Sequence, residues 1–279
     1  MKLKQLFRRA PSMSPEDLTK FRDEHQEGEY TLLDVRQPGE YRKGHLAGAK
    51  FIPLPELQGR LDEIDREAPV VAYCAVGGRS RAAAQLLQGQ GFKEVYNLEG
   101  GIKAWEGLTA EGPPEWGLEI MDPGEGPAQV IAAAFSLERG LAACYQALAK
   151  ATDSEELSEL YQRLAGYEDR HMQRLGRAWE ELTPEQRRGV ELEPQGEVSI
   201  MEGGVKVEDF VAQHQDASAD QSQAVMMAMG LETQALDLYL RLAQRMRQPQ
   251  SRELLDTLGQ EEKSHLKALG DILERLQGA

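Results

Sequence analysis

The chain has 279 residues, 41% of them hydrophobic, and a formal net charge of −15; this is more length than one ordinary domain needs and enough apolar content for two cores. Two cysteines are too few for a disulfide framework, and no apolar run approaches the roughly 18 residues of a membrane span, so a reducing cytoplasm is the expected compartment and no membrane is an expected partner. Residues 1–115 carry 16 basic against 18 acidic side chains and residues 116–279 carry 16 against 29, a second half that repels phosphate backbones and excludes nucleic acid as an expected partner.

The opening MKLKQLFRR is basic but lacks the apolar core and cleavage site of an export signal, and residues 1–12 read as a lead-in. From residue 13 to 108 short apolar runs, YTLLDV at Tyr30, KFIPL at Lys50, VVAYC at Val70 and EVYNLEG at Glu94, alternate with helical stretches such as SPEDLTKFRDE and RSRAAAQLLQ. Bounded by Gly and Pro, they predict an α/β domain with a parallel sheet flanked by helices. Residues 109–125 are rich in Pro and Gly and read as a linker. From 126 to 279 the apolar period becomes 3.6, predicting an all-α four-helix bundle in which 183–206 connects two hairpins.

YCAVGGRS, Tyr73 to Ser80, places a cysteine at the end of an apolar strand, above a glycine loop that opens a helix. Loop N–H groups, the helix dipole and the Arg79 charge all favour thiolate over thiol at Cys74. Such a cradle serves phosphate-ester cleavage or sulfur transfer. Here Cys74 and Arg79 are spaced C-x4-R, one residue short of the C-x5-R loop that encircles a phosphate, so sulfur transfer is the expectation.

Residues 13–107 resemble a single rhodanese domain. The resemblance rests on LLDVRQPGEYRKGHLAGAKFIPL, which contains Asp34, Arg36, Glu40, Tyr41, Gly44, His45, Gly48, Ala49, Ile52 and Pro53, on YCAVGGRS, and on LEGGIKAW at Leu98. It implies that Cys74 takes sulfane sulfur from a small donor such as thiosulfate as a persulfide and passes it to cyanide or a thiol. Arg79 would assist, Ala75, Val76, Gly77, Gly78 and Ser80 would form the substrate-binding loop, and Asp34, Arg36 and His45 would be scaffold beneath it.

The helical half contains AGYEDRHMQRL and GQEEKSHLKAL, each with Glu-x-x-His: Glu168 with His171, and Glu262 with His265. At this spacing a helix presents both side chains on one face. An internal repeat at an offset of 94 residues pairs Glu138 with Glu232, Tyr145 with Tyr239, Glu168 with Glu262 and His171 with His265. Two helix hairpins thus present four Glu and two His to one interior, a ligand set suited to a carboxylate-bridged pair of iron ions, with manganese as the alternative.

Residues 126–276 accordingly resemble the ferritin-like superfamily and, within it, rubrerythrin. The resemblance implies Glu168 and Glu262 as bridging ligands, Glu138 and Glu232 as terminal carboxylates, and one imidazole per metal from His171 and His265. It also implies an electron-donor protein as partner and a homodimer through the bundle. Two departures stand out: Ala235 lies three residues after Glu232, near where rubrerythrins carry a further glutamate, and no four-cysteine rubredoxin-like site exists. Tyr145, Tyr239, Met226, Met227, Met229 and Cys144 read as packing.

The whole chain reads as a sulfurtransferase joined to a dinuclear redox site. One alternative makes the bundle an oxidase or peroxidase with the first domain only a sulfur-binding module. Another makes the bundle a metal-free dimerisation scaffold.

Overall fold

The structure, a computed structural model, describes residues 10–193, 200–201, 205–214 and 220–277. The chain divides into two compact units, Met1–Glu115 and Trp116–Ala279.

The first unit is built on five parallel strands, β1 (Ser12–Met13), β2 (Thr31–Asp34), β3 (Lys50–Phe51), β4 (Val70–Tyr73) and β5 (Val95–Leu98), in the order β1-β5-β4-β2-β3. Every residue of β4 is buried, as expected of a central parallel strand covered on both faces, and this explains why VVAY does not alternate with polar residues. Helices α1 (Pro15–Glu24), α2 (Pro38–Tyr41) and α3 (Gly78–Gly89) flank the sheet. Ser14 caps α1 by accepting from Asp17 N–H at 3.1 Å, while Ser14 N–H donates back to Asp17 Oδ2 at 3.3 Å.

β1 begins inside the stretch that reads as a lead-in. Ser12 pairs with Asn97, Asn97 N–H donates to Pro11 C=O at 2.9 Å, and Ala10 is buried. The backbone of β5 needs partners on that side, and residues 10–13 supply them. Residues 1–9 lie outside the described residues.

The second unit contains α4 (Pro127–Ala151), α5 (Glu155–Glu181), a short antiparallel pair β6 (Ile200–Met201) and β7 (Val205–Lys206), then α6 (Val207–His214), α7 (Gln221–Arg245) and α8 (Pro249–Gln277). The long helices form two hairpins, α4 on α5 and α7 on α8. The segment 183–206 lies only partly within the described residues. Two apolar clusters fill this unit, one around Leu141, Leu148, Leu160 and Leu164, the other around Val130, Ile131, Leu242 and Leu255. Met227 and Met229 pack against the first cluster. Met226 instead is exposed, so its expected packing role fails, because its position on α7 faces away from the hairpins.

The stretch 109–125 is held to its neighbours along much of its length. His45 and Ala110 exchange backbone hydrogen bonds at 2.8 and 2.9 Å within the first unit. In the second, Arg241 donates to Trp116 C=O at 2.7 Å, Arg245 to Leu118 C=O at 3.0 Å, and Met121 is buried in the second cluster.

One glycine decides how the first unit closes over its loop. Gly101 has φ of 62°, and a Cβ placed there would strike Cys74 C=O and stand 2.7 Å from Ala75 C. This close approach lets Ile102 N–H donate to Cys74 C=O at 2.8 Å. Gly101→Ala should therefore destabilise the first unit by roughly 2 kcal/mol, read as an earlier transition in chemical denaturation; an unchanged midpoint would refute the clash.

Candidate functional site

Cys74 follows β4 directly, and its residue is 1% exposed. Gly77 adopts φ of 91° and turns the chain so that α3 starts at Gly78. The turn aims Gly77 N–H at Cys74 Sγ, 3.1 Å away, and the Ser80 hydroxyl stands 3.4 Å from the same sulfur. Burial alone would push the thiol up. The Ser80 hydroxyl and the N–H groups of Ser80, Val76 and Gly77 outweigh it, and the Cys74 pKa lies below the ordinary thiol value. Ala75 and Val76 form the loop tip, with Val76 exposed.

Two features of this loop escape the sequence reading. Ser80 Oγ lies 2.7 Å from Asn97 Oδ1 on β5 as well as 3.4 Å from the sulfur, so the buried amide holds Ser80 Oγ beside Cys74 and shares its one hydroxyl proton with the sulfur. Arg79 is engaged by Glu40, with its two terminal nitrogens 2.7 and 2.6 Å from the carboxylate oxygens. This hydrogen-bonded pairing holds Glu40 down at about 2, so the pair stays ionised until pH falls that far. Arg79 also interacts with Cys74, so its guanidinium serves the Glu40 carboxylate and the sulfur together. Glu40 was legible only as part of a motif, because its partner is 39 residues away.

Beneath the loop, Arg36 Nη2 donates to Asp34 Oδ2 at 2.6 Å and to Gly44 C=O at 2.7 Å. The His45 ring stacks on Tyr41 with centroids 3.7 Å apart. Both Asp34 and Arg36 are buried, and their bidentate pairing ties β2 to the Gly44 turn.

The second site lies between the two apolar clusters of the bundle. Glu138 on α4, Glu168 and His171 on α5, Glu232 on α7 and Glu262 on α8 are all buried, and the His265 side chain on α8 is 18% exposed. His171 Nδ1 stands 3.0 Å from Glu138, 3.5 Å from Glu168 and 3.9 Å from Glu262. His265 Nδ1 stands 3.4 Å from Glu232 and 3.6 Å from Glu262. The imidazoles stack with centroids 4.2 Å apart, and their Nε2 atoms are 2.8 Å apart.

This donor set fits a pair of divalent ions. Ligand bonds of roughly 2 Å set neighbouring donors about 3 to 4 Å apart, the spacing seen around each Nδ1. Ligand atoms of Glu138, Glu168 and His171 lie within 4.8 Å of one another, as do those of His171, Glu262 and His265. Two divalent ions also offset the charge of four carboxylates that an apolar interior would otherwise penalise by several kcal/mol each. Burial would push the Glu232 carboxyl up, but hydrogen bonds involving His265 and Glu262 hold it below its usual value.

Tyr145 and Tyr239, expected as packing, have a polar task as well. Tyr239 on α7 donates to Glu138 Oε1 at 2.9 Å, and Tyr145 on α4 donates to Glu232 Oε1 at 3.3 Å. Each hairpin thus orients a carboxylate of the other. Their shared 94-residue offset was the signal available in the sequence. Ala235 sits in the apolar cluster on α7 and brings no further carboxylate. Cys144 is buried among apolar side chains, and burial pushes its thiol up to about 12, which suits packing.

The Ser80 geometry predicts that Ser80→Ala raises the Cys74 pKa. The pH profile of alkylation by iodoacetamide should shift to higher pH, and an unshifted profile would remove Ser80 from thiolate stabilisation.

Comparison with known proteins bears on both units. Residues 17–108 match the rhodanese-like domain model and residues 129–273 the rubrerythrin model. The chain is 49% identical over 76 residues to an uncharacterised protein, YqhL, of Bacillus subtilis, covering 27% of this chain and 60% of that protein. It is 35% identical over 88 residues to the thiosulfate sulfurtransferase GlpE of Ectopseudomonas mendocina, covering 30% of this chain and 81% of that one. A solved rhodanese-like domain protein from Staphylococcus aureus is 29% identical, with a TM-score of 0.33, covering 35% of this chain and 95% of that one. The rubrerythrin match takes in more than half of the sequence: the chain belongs to the rubrerythrin family and carries a rhodanese-like domain ahead of its ferritin-like bundle.

Proposed function

We propose that the protein is a sulfurtransferase working through a Cys74 persulfide, joined to a dinuclear metal site with a redox role. The observation that carries the first part is the set of donors converging on Cys74 Sγ, which lowers its pKa. The GlpE relatives, named thiosulfate sulfurtransferases, support the same reading.

The thiolate attacks the outer sulfur of a donor such as thiosulfate. A new S–S bond forms, the donor's S–S bond breaks, and sulfite leaves with the electron pair of that bond. Loop N–H groups from Val76, Gly77 and Ser80 hold the resulting anion, with Ala75 and Gly78 completing the loop. Cyanide or a thiolate then attacks the terminal sulfur and restores the Cys74 thiolate. Arg79, clamped by Glu40, contributes a fixed positive charge at the loop.

In the bundle, Glu138, Glu168 and His171 would hold one ion and Glu232, Glu262 and His265 the other, with Glu168 and Glu262 shared. A carboxylate-bridged pair of iron or manganese ions supplies redox chemistry when bound. Tyr145 and Tyr239 keep Glu232 and Glu138 oriented, and the apolar clusters on either side limit water entry. Sulfur donor, acceptor and a protein electron donor are the partners of this reading.

Cys74→Ser should reduce thiosulfate:cyanide turnover to background without loss of fold, since an alcohol oxygen cannot carry the persulfide. In anaerobic metal-loaded protein the same variant should also lose any donor-induced change in the visible spectrum. Persistent turnover would overturn the assignment of Cys74; a spectrum unmoved by donor in the unmutated chain would leave the two sites uncoupled.

Metal analysis tests the bundle. Glu168→Ala and Glu262→Ala should each lose both ions, whereas His171→Ala and His265→Ala should lose chiefly one. Full metal content in all four variants would overturn the ligand assignment.

A further inference from the structure

The metal-ligand cluster is closed on most sides. Glu138, Glu168, His171, Glu232 and Glu262 side chains are 1–2% exposed, and His265 at 18% marks where the cluster approaches solvent. A cleft of about 300 Å³ opens there, with His171 and His265 in its wall. The rest of that wall includes Tyr167, Arg170, Arg174 and Arg177.

The three arginines recur at i, i+4 and i+7 on α5 and so share one face. The lining contains no carboxylate, although this half of the chain holds 29 acidic side chains against 16 basic ones. At that ratio, three charged side chains placed at random would ordinarily include an acid. The Arg170 guanidinium lies 4.5 Å over the Tyr167 ring, the Tyr167 ring stacks 5.9 Å from His265, and His265 stacks 4.2 Å from His171. One continuous stack therefore runs from a surface cation to the two ligand imidazoles. Arg174 is tied to Glu261 on α8 at 3.0 Å, which holds that wall in place and leaves Arg170 and Arg177 as the charges facing the cleft.

We infer that this cleft is an anion-binding antechamber, and that the bundle site takes a small inorganic anion. Resting on the dinuclear reading above, this deepens it by naming a substrate class. Neutral dioxygen or hydrogen peroxide gains little from the Arg170 and Arg177 guanidinium groups, whereas an anion is concentrated by them. The sulfite that leaves Cys74 when thiosulfate is the donor meets this requirement.

Sulfite is the probe, titrated calorimetrically into the full chain carrying Cys74→Ser, which silences the loop. It is measured first metal-free and then loaded with manganese(II). Arg170→Gln combined with Arg177→Gln should weaken sulfite binding about tenfold in both states, and each single change should give an intermediate loss. The parent's affinity should fall more steeply with added potassium chloride than the double variant's. Both arginines are exposed, so circular dichroism should be unchanged. A control losing the same charge at exposed remote positions, Lys150→Gln with Arg275→Gln, should bind like the parent.

Double-variant affinity equal to the parent's, or an equal loss in the control, overturns the antechamber. A chain that binds no metal yet keeps arginine-dependent sulfite binding leaves the antechamber standing and fails the dinuclear reading. A chain that holds two ions but binds sulfite independently of Arg170 and Arg177 does the reverse.

Discussion

Four carboxylates and two imidazoles gathered inside an apolar bundle form the constraint on which the second unit depends. An ionised carboxylate buried without compensation costs several kcal/mol, yet Glu138, Glu168, Glu232 and Glu262 all lie at the centre. The helices must be long enough to carry apolar clusters on both sides of that centre. On α4, Phe135 belongs to one cluster and Leu141 to the other, with Glu138 between them; on α7, Ala235 and Leu231 bracket Glu232 in the same way. Cross-hairpin hydrogen bonds from Tyr239 and Tyr145 then bind the two halves at the polar layer. The arginine-lined cleft is the complement of this arrangement, since a nearly closed site needs a defined approach.

The first unit solves the opposite problem. It lowers the pKa of one thiol in a place where burial would raise it. Backbone donors from a single turn, the Ser80 hydroxyl and the start of α3 supply the compensation, and these come at no cost in mobile charge. Arg79 would have been the obvious counter-ion. Its bidentate pairing with Glu40 positions it while it also interacts with Cys74, so the positive potential at the loop is in place before the anion forms. Gly101, whose backbone lies against Cys74 and Ala75, holds the base of the same loop.

Taken together, the two sites share a chemical logic. On the proposed readings, each would stabilise an anion by donors fixed before the anion arrives, one set from backbone amides and the other from side chains on helices. A rhodanese-like domain and a rubrerythrin-type bundle in one chain put the proposed source of sulfur anions and the proposed anion-binding cleft under common expression and stoichiometry.

What the sequence by itself determined were features with a local or periodic cause. The strand-loop-helix at Cys74 follows from an apolar run, paired glycines and an amphipathic helix. The six carboxylate and imidazole residues gathered in the bundle follow from Glu-x-x-His at helical spacing and a repeat kept in register over 94 residues. Only the tertiary structure decided the rest, because it depends on distance between residues remote in the chain. The Glu40 carboxylate meets Arg79, Asn97 fixes Ser80, and Ser12 joins a sheet edge rather than trailing from it. Tyr145 and Tyr239 look like core by spacing, and their hydroxyls acquire meaning only where two hairpins cross. Arg170, Arg174 and Arg177 look like an ordinary solvated helix face; packing of α5 beside His265 turns that face into the mouth of a site.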